Sequence, residues 1–316
     1  MVRKPNVVIK INGIDKSENI MKHLDSLSIV DNANNESDSL TIVINGRFSR
    51  PNKKDQIKVY IGFDDDLHYF GLYRVETTSK SFKSLTINAT GVNFSASFKV
   101  KRNITYEKVS VRDIVNQISK RHLLKVKCDF TDIFISSLAQ TNESDMHFLN
   151  RIAKEYNALF NVKNDTLYFV KKIKKNRKND ELPSYRIDLN MCGNTPVIEY
   201  SEKTFYNSCE VSWHDTKENK TFVKKVPLNG GDPILKFKGS FKNEAEAIEK
   251  AKAKLQRANH GIVKGSLETE GMKIYAGGRL SLDNNFDDDI DEYQISRVNQ
   301  DIANGGGWTT GVEFEN

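Results

Sequence analysis

Histidine is the side chain in this sequence that could most readily bind a metal or act as a base. The six histidines are scattered along the chain, without an HExxH motif or a pair at metal-ligand spacing: His23, His68, His122, His147, His214 and His260. His147 lies within a predicted helix, where a lone histidine more often packs or is solvated than acts as a base. The histidines predict neither a metal site nor a catalytic base.

The three cysteines give no stronger indication of chemistry. Cys128, Cys192 and Cys209 have no CxxC spacing and no local catalytic signature. An odd number of widely spaced cysteines is typical of a reducing compartment and not of a disulfide framework. We therefore expect neither disulfide bonds nor a zinc site.

Two acidic runs, residues 64–66 and 287–291, could hold a hard cation such as Ca²⁺ through carboxylate oxygens. Neither has the spaced DxDxDG pattern, and solvated hairpin tips explain both runs equally well. A glycosidase needs two carboxylates that face each other across a cleft, and the sequence does not single out two. The sequence predicts no catalytic residue, no cofactor and no metal ligand, and we expect the protein not to be an enzyme.

Glycine and lysine runs could in principle bind phosphate. Residues Gly305–Gly307 precede a predicted strand, whereas phosphate-binding loops follow a strand and open a helix, so the run predicts a turn. The basic run Lys171–Lys178 is typical of a solvated loop or linker. The net charge is +6, with 42 acidic residues interspersed among 48 basic ones, which does not indicate a dedicated nucleic-acid binder.

Length and hydropathy limit the number of domains and the cellular location that the sequence predicts. The 316 residues are enough for two or three domains. The N-terminal residues Met1–Pro5 lack the apolar stretch of a signal peptide, and no segment approaches the roughly 20 apolar residues that span a bilayer. We expect synthesis and assembly in the cytoplasm, without stable membrane insertion.

Residues 1–99 show the alternation of apolar and polar side chains that predicts strands. The pattern is clear at residues 7–11, 40–44, 57–61, 68–73 and 85–89, with Asn-Gly turns at Asn12-Gly13 and Asn45-Gly46. Several short strands separated by turns indicate a closed barrel or a sandwich. This segment is predicted to form the first domain.

Residues 100–180 are predicted to form a compact α+β domain. Ser110 can cap a helix with an apolar face at residues 111–118. A second helix is predicted within Gln140–Asn157, and Asn157 suits a left-handed C-terminal cap. The apolar runs at 159–162 and 166–170 then predict a hairpin.

Residues 181–316 return to strand patterns. Alternating runs occur at residues 185–189, 209–213, 263–267, 278–282, 293–298 and 308–314. One helix interrupts them near 243–258, with Asn243 as its cap and Glu246 three residues later. The spacing predicts a second β-barrel with a helical insertion. The fold class is therefore α+β, mainly β, with two β domains that flank a small α+β module.

One stretch resembles a known family. Residues 140–157 follow the form Gln-x-x-Glu-Ser-Asp-x-x-Phe-Leu-x-Arg-Leu-Ala of the phage late control gene D proteins and the related VgrG hubs of type VI secretion. The matching residues are Gln140, Glu143, Ser144, Asp145, Phe148, Leu149, Arg151 and Ala153. Met146 stands where VgrG proteins commonly have Trp, so the match is to the broader family. The Gly-aromatic-Thr-Thr pattern at residues 307–310 resembles the last strand of the same family.

The resemblance implies a structural hub at the centre of a contractile-tail baseplate. It implies two tail-tube-like barrels, a homotrimer that forms a pseudo-hexameric ring, and contacts with the tail tube, a separate spike protein, other baseplate proteins and the tape-measure protein. DNA or effector protein would pass through the pore without specific binding. We expect assembly in the bacterial cytoplasm, in a phage, a prophage tail or a related injection machine.

Because the sequence ends at Asn316 without a needle segment, the resemblance implies that the spike is supplied separately and that no wall-degrading activity is present. Two alternatives stay open from the residues alone. A tail-associated cell-wall hydrolase would lower the turbidity of a cell-wall suspension. A carbohydrate-binding module would use exposed aromatic residues such as Tyr69, Phe70 and Tyr73.

Overall fold

The computed structural model describes most of the chain. The described residues are 4–33, 37–91, 96–130, 133–163, 166–172, 182–193, 196–201, 204–215, 218–241, 243–283 and 292–316. Strands dominate them, and they include four α-helices. None of these helices is long and apolar enough to cross a membrane.

The described elements follow the sequence patterns closely. The elements before residue 92 are β1 (Pro5–Ile11), β2 (Ile14–Asp15), α1 (Ser17–Met21), β3 (Leu24–Asn32), β4 (Ser39–Asn45), β5 (Gln56–Phe63), β6 (Asp66–Lys80) and β7 (Ser84–Gly91). The middle elements are β8 (Lys101–Ser110), α2 (Val111–Arg121), β9 (Lys125–Cys128), β10 (Phe134–Ser144), α3 (Asp145–Tyr156), β11 (Ala158–Lys163) and β12 (Thr166–Lys171). The remaining elements are β13 (Ser184–Ile187), β14 (Val197–Tyr200), β15 (Ser208–Asp215), β16 (Lys220–Pro227), β17 (Ile234–Lys238), α4 (Glu244–Asn259), β18 (Val263–Glu270), β19 (Arg279–Leu282), β20 (Tyr293–Ala303) and β21 (Trp308–Glu315).

The strands from the two ends of the chain form one continuous sheet. Its 13 strands follow the order β14-β18-β21-β20-β3-β4-β7-β6-β5-β1-β2, with β19 paired to β20 and β13 paired to β19. The two halves join where β20 pairs with β3 in antiparallel register, from Arg297 opposite Asn32 to Ala303 opposite Ser26. The fold class is thus mainly β with helices, as predicted. The described strands do not close into a barrel, so the prediction of two separate closed barrels is not confirmed.

The chain divides into two compact units. Unit 1 comprises residues 1–93, 180–199 and 264–316, and unit 2 comprises residues 94–179 and 200–263. The three consecutive domains expected from the sequence, 1–99, 100–180 and 181–316, stay a prediction. The 243–258 helix, α4, packs on β15 and β16, where Ala247, Ala251 and Leu255 join the core around Trp213.

The core of unit 1 lies on one face of the large sheet. Its alternating residues are almost fully excluded from solvent, as the period-2 pattern predicted, for example Ile9, Ile42, Ile57 and Ile87. Phe70 and Tyr73 belong to the same core, so two of the three aromatic residues considered for carbohydrate binding are buried.

Unit 2 builds its main core around two helices. The apolar faces of α2 and α3 pack with the three-stranded sheet β11-β12-β9 and the two-stranded sheet β10-β8. Val115, Ile118, Phe148 and Ile152 are fully buried in it. The C-terminus of α2 and the N-terminus of α3 meet at polar residues of the family motif, where Arg121 bonds to Asp145.

Candidate functional site

The structure keeps most of the candidate residues apart. His23 and His68 belong to unit 1, and the other four histidines belong to unit 2. Among the described residues, no three His, Cys, Asp or Glu side chains come together in a way that could hold a metal ion. The acidic run 287–291 and residues 173–178 of the basic run lie outside the described residues.

The cysteines are separate free thiols in the structure. Cys128 and Cys209 are buried and Cys192 is half-buried. Burial raises the pKa of all three thiols, which keeps them in the protonated and less nucleophilic form. The positive charges of Arg112 near Cys128 and Lys254 near Cys209 lower the thiol pKa, but burial outweighs them.

The structure does bring polar residues together around one buried carboxylate. Asp145 is 0% exposed, and its two oxygens accept hydrogen bonds from Arg121 Nη1 at 2.7 and 2.8 Å. Gln140 Nε2 donates to Oδ1 at 2.9 Å, and Arg102 Nε donates to Oδ2 at 3.2 Å. His122 Nε2 lies 2.8 Å from Oδ2. We call these five residues the Asp145 cluster.

Four elements supply the Asp145 cluster. Arg102 lies on β8, Arg121 ends α2, Gln140 lies on β10, and Asp145 begins α3. Ser144 caps α3 by accepting a hydrogen bond from the His147 amide at 3.2 Å. Asp145 therefore lies in the first helical turn, where the partial positive charge of the helix N-terminus stabilises a carboxylate.

His122 is fixed on every side. Its side chain is 1% exposed, and its Nδ1 lies 2.8 Å from Ser97 Oγ. The Phe98 ring stacks on the imidazole at a centroid distance of 3.7 Å and an angle of 17°. Both ring nitrogens thus have partners within the protein, so no nitrogen is left to act on a substrate.

A second polar group lies beside the cluster at the start of α3. Arg151 Nη2 donates to Glu143 Oε2 at 2.8 Å and to the Ala139 carbonyl at 2.9 Å. His147 Nδ1 lies 2.6 Å from Glu143 Oε1. These contacts tie the helix back to β10, at the bulge that interrupts the β8–β10 register between Gln140 and Glu143.

The electrostatics favour a structural role for both carboxylates. Burial alone would raise the pKa of Asp145, but the hydrogen bonds from Gln140, Arg121 and His122 outweigh it and lower that pKa. The pKa of Glu143 is lowered in the same way, because Arg151 and His147 outweigh burial. A general acid needs a raised pKa and an accessible proton, and these groups have neither.

Comparison with known proteins identifies the chain. The family model described as phage tail baseplate hub (GPD) matches residues 96–306, about two thirds of the chain. This chain belongs to the phage tail baseplate hub family. It is a structural tail hub protein, and the resemblance to the late control gene D family is confirmed.

Two curated relatives agree along nearly the whole chain. The probable baseplate hub protein of Escherichia phage 186 is 23% identical, over 98% of this chain and 92% of its own length. The probable baseplate hub protein of Escherichia phage P2 is also 23% identical, over 98% of this chain and 93% of its own length.

Solved structures share the fold at low sequence identity. The 43 kDa tail protein of prophage MuSo2 from Shewanella oneidensis is similar with a TM-score of 0.71, at 13% identity, and each chain is covered to 98%. A tail protein from Neisseria meningitidis MC58 also has a TM-score of 0.71, at 15% identity, covering 99% of this chain and 97% of that one. A chain of the Francisella PdpA–VgrG complex has a TM-score of 0.60, at 11% identity, covering 100% of this chain and 58% of that one.

The hub motif has a structural explanation in this protein. Four of its polar residues, Gln140, Glu143, Asp145 and Arg151, form the two groups that anchor the start of α3. The sequence predicted a helix within Gln140–Asn157, and this is corrected at its start: residues 140–144 belong to β10, and α3 is Asp145–Tyr156. From β10, Gln140 donates a hydrogen bond to Asp145 and Glu143 accepts one from Arg151.

The C-terminal motif of the hub is also a buried polar group. Gln300 Oε1 accepts hydrogen bonds from Trp308 Nε1 and Thr310 Oγ1, both at 2.7 Å. Gln300 Nε2 donates to the Met272 carbonyl at 3.1 Å. Gln300, Trp308 and Thr310 are all buried, so the Gly-aromatic-Thr-Thr pattern holds β20, β21 and the 271–274 segment together.

Proposed function

We propose that this baseplate hub protein assembles as a homotrimeric ring that joins the tail tube to a separate spike protein, and that it is not an enzyme. The observation that carries the proposal is the pair of unlike ends of the 13-stranded sheet. Each end offers a strand edge to which no described strand is paired.

The first end of the sheet is apolar and acidic. Strand β14 is the last strand there, and Val197 is 54% exposed. Met191, on the segment that precedes β14, is 64% exposed. Glu199 is also exposed on β14. An exposed apolar edge strand is an aggregation hazard in a monomer unless a partner covers it.

The second end of the sheet carries an exposed apolar residue and lysines beside the exposed carboxylate of Asp15. It is formed by β1 and the two-residue strand β2, where Ile14 is 60% exposed. Lys16 follows directly after β2 and is exposed, and Lys10 lies on β1. The lysines at this end can pair with Glu199 at the first end, which favours contact between the first end of one copy and the second end of the next.

The small sheet of unit 2 provides a contrast within the same chain. Its edge strands β16 and β17 carry exposed lysines, which is how edges are commonly protected from pairing: Lys220, Lys224, Lys225, Lys236 and Lys238. Strand β14 has no lysine. The edge at β14 is therefore better suited to pairing than the lysine-rich edges.

Contact between unlike ends is heterologous and produces a closed ring when the rotation between copies closes. Each chain contributes seven strands from residues before 92 and six strands from residues after 183 to its sheet. Three copies would thus present six similar halves, which supports an adaptor between a six-fold tube and a three-fold spike.

Membership of the baseplate hub family supports the proposed partners. The hub would contact the tail tube, a separate spike protein, other baseplate proteins and the tape-measure protein, after assembly in the bacterial cytoplasm. DNA or effector protein would pass through the ring without specific binding. The donors that face both oxygens of Asp145 support a structural role for the Asp145 cluster.

An edge variant tests the ring. Val197→Lys places a charge on the β14 edge, and we expect it to convert trimers to monomers in size-exclusion chromatography with light scattering. Val223→Lys is the matched control, because Val223 is 55% exposed on β16 and lies on an edge already protected by lysines. If Val197→Lys left the trimer intact, the β14 edge would not be the contact, and the proposed ring geometry would be wrong.

A further inference from the structure

One pocket of unit 1 adjoins the second end of the large sheet. It has a volume of about 720 Å³ and opens at the end of the large sheet where β3 begins and β4 ends. The loop from Gly46 to Asp55 forms one side of it, and the β1–β2 turn with α1 forms the other. Its size lies within the usual range for ligand pockets.

The floor of the pocket is aliphatic. Ile20, Ile44, Leu85 and Ile87 line it and are otherwise buried in the core of unit 1. Phe48 forms an aromatic wall with His23, whose ring lies edge-on at a centroid distance of 5.3 Å. Ile14, at 60% exposure, extends the apolar surface to the mouth.

The rim of the pocket is cationic. Lys16, Arg47 and Arg50 line it, and all three are exposed. Among the described residues no carboxylate pairs with any of them, and Arg47 only covers the Phe82 ring at 4.8 Å. The acidic lining residue, Asp55, uses its oxygens for Asn12 Nδ2 at 3.0 Å and the Asn52 amide at 2.8 Å.

The loop that carries Arg47 and Arg50 is held in place before any ligand arrives. Lys80 Nζ donates to the Phe48 carbonyl at 2.8 Å, and the Gly46 amide donates to the Lys83 carbonyl at 2.7 Å. These contacts fix the backbone of the loop beside the apolar floor. Preorganisation of this kind lowers the entropy cost of binding.

We propose that this pocket binds an acidic peptide segment of another protein, which inserts an apolar side chain and places carboxylates against the rim cations. The rim is complementary in charge to such a segment. The mouth also carries Asn19 and Ser49, whose amide and hydroxyl groups can bond a peptide backbone. Ile14 and Lys16 belong both to this pocket and to the second end of the sheet, so the peptide would bind the chain before the proposed ring contact covers them.

Isothermal titration with synthetic peptides tests the proposal. The probe is a capped hexapeptide with one phenylalanine and one leucine among four aspartates, and the protein is the full chain with Val197→Lys. That variant is expected to be monomeric, so a failure of peptide binding is separate from a failure of the ring. We expect saturable binding that weakens as salt is raised.

Two variants locate the binding site. The double variant Lys16→Ala/Arg50→Ala should weaken binding about ten-fold, because it removes two exposed ion pairs with the peptide. Ile14→Asp should also weaken it, because a carboxylate at the mouth repels the peptide. Lys53→Ala is the matched control on the same loop, since Lys53 is exposed and does not line the pocket, and it should bind normally.

Control ligands separate the alternatives. A peptide with lysine in place of aspartate, or serine in place of both apolar residues, should not bind. Equal binding of the lysine peptide, unchanged affinity in the double variant, or binding only to vesicles that contain an anionic lipid would each overturn the proposal.

Discussion

Asp145 shows how a fully buried carboxylate can be stable in this protein. Burial of an unpaired charge is costly, but Arg102, Arg121, His122 and Gln140 all face its two oxygens within 3.2 Å. The arginine side chains stay about a quarter exposed, so water still solvates part of each guanidinium. The carboxylate therefore acts as the common anchor of β8, α2, β10 and α3.

Removal of this charge should destabilise unit 2. Asp145→Asn would turn an amide N–H toward donors that need an acceptor, and we expect a loss of about 2–3 kcal/mol in the free energy of unfolding. Urea denaturation followed by circular dichroism measures it. Asp66→Asn is the control: its side chain is 83% exposed, and it should change stability by no more than about 0.5 kcal/mol. Equal effects of the two variants would contradict the structural role.

The stabilisation by ionised Asp145 should also depend on pH. The folded-state pKa of Asp145 is lowered, so the ionised carboxylate stabilises the protein above the unfolded-state pKa of about 3.9. This contribution is lost as the pH falls from about 4 through the folded-state pKa. We expect the stability gap between the wild type and Asp145→Asn to be full at neutral pH and to narrow below pH ~4. A gap that widened in acid would contradict the assigned pKa direction.

At the residue scale the sequence predicted only part of this arrangement. The motif singled out Gln140, Glu143, Asp145 and Arg151 through resemblance, without their contacts. Arg102, Arg121 and His122 were missed as site residues, because they lie 23 to 43 positions from Asp145 and no local period connects them. Only the tertiary fold brings these donors to one carboxylate.

At the scale of elements, the helix ends were predictable because their signals are local. Ser110 forms a capping box with Asp113, and the Asn243 side chain accepts a hydrogen bond from the Glu246 amide at 2.8 Å. Asn157 ends α3 in the left-handed conformation, at φ 49°, as the sequence predicted. Strands β8 and β10 were not predicted, because their exposed and buried residues alternate irregularly around a bulge.

The left-handed cap gives a paired prediction. Asn157→Ala should cost about 1–2 kcal/mol, because a Cβ-bearing residue without a local hydrogen-bonding side chain is strained there. Asn157→Gly should be close to neutral, since glycine adopts this conformation freely and only the 3.3 Å contact to Gln256 is lost. Thermal denaturation of the two variants compares them. Equal destabilisation by Ala and Gly would show that the side-chain contact matters more than the backbone.

At the scale of the whole molecule, the large sheet was beyond the sequence patterns. Alternation predicted strands near both ends of the chain, but the pairing of β3 with β20 joins residues more than 260 positions apart. Periodicity carries no information about which strands pair across such a distance. Strands from both predicted β domains therefore belong to one sheet, whereas β15, β16 and β17 form a separate one.

The two units differ in the sign of their net charge, although the whole chain has a net charge of +6. By the sequence, unit 2 has 30 basic and 16 acidic residues, a net of +14, and unit 1 has 18 basic and 26 acidic residues, a net of −8. We expect the protein to be retained at low salt and neutral pH by both cation- and anion-exchange resins. A protein with a net charge of +6 spread evenly over its surface would flow through the anion exchanger. That result would contradict the separation of charge between the two units.

The central claim is that the hub works as a ring of three chains built from the unlike ends of its sheet. Its most direct test is the mass of the assembled particle, measured by light scattering and native mass spectrometry with and without co-expressed spike protein. The account predicts a particle that contains three copies of the 36.0 kDa chain. A monomer at every concentration, even in the presence of the spike protein, would contradict it.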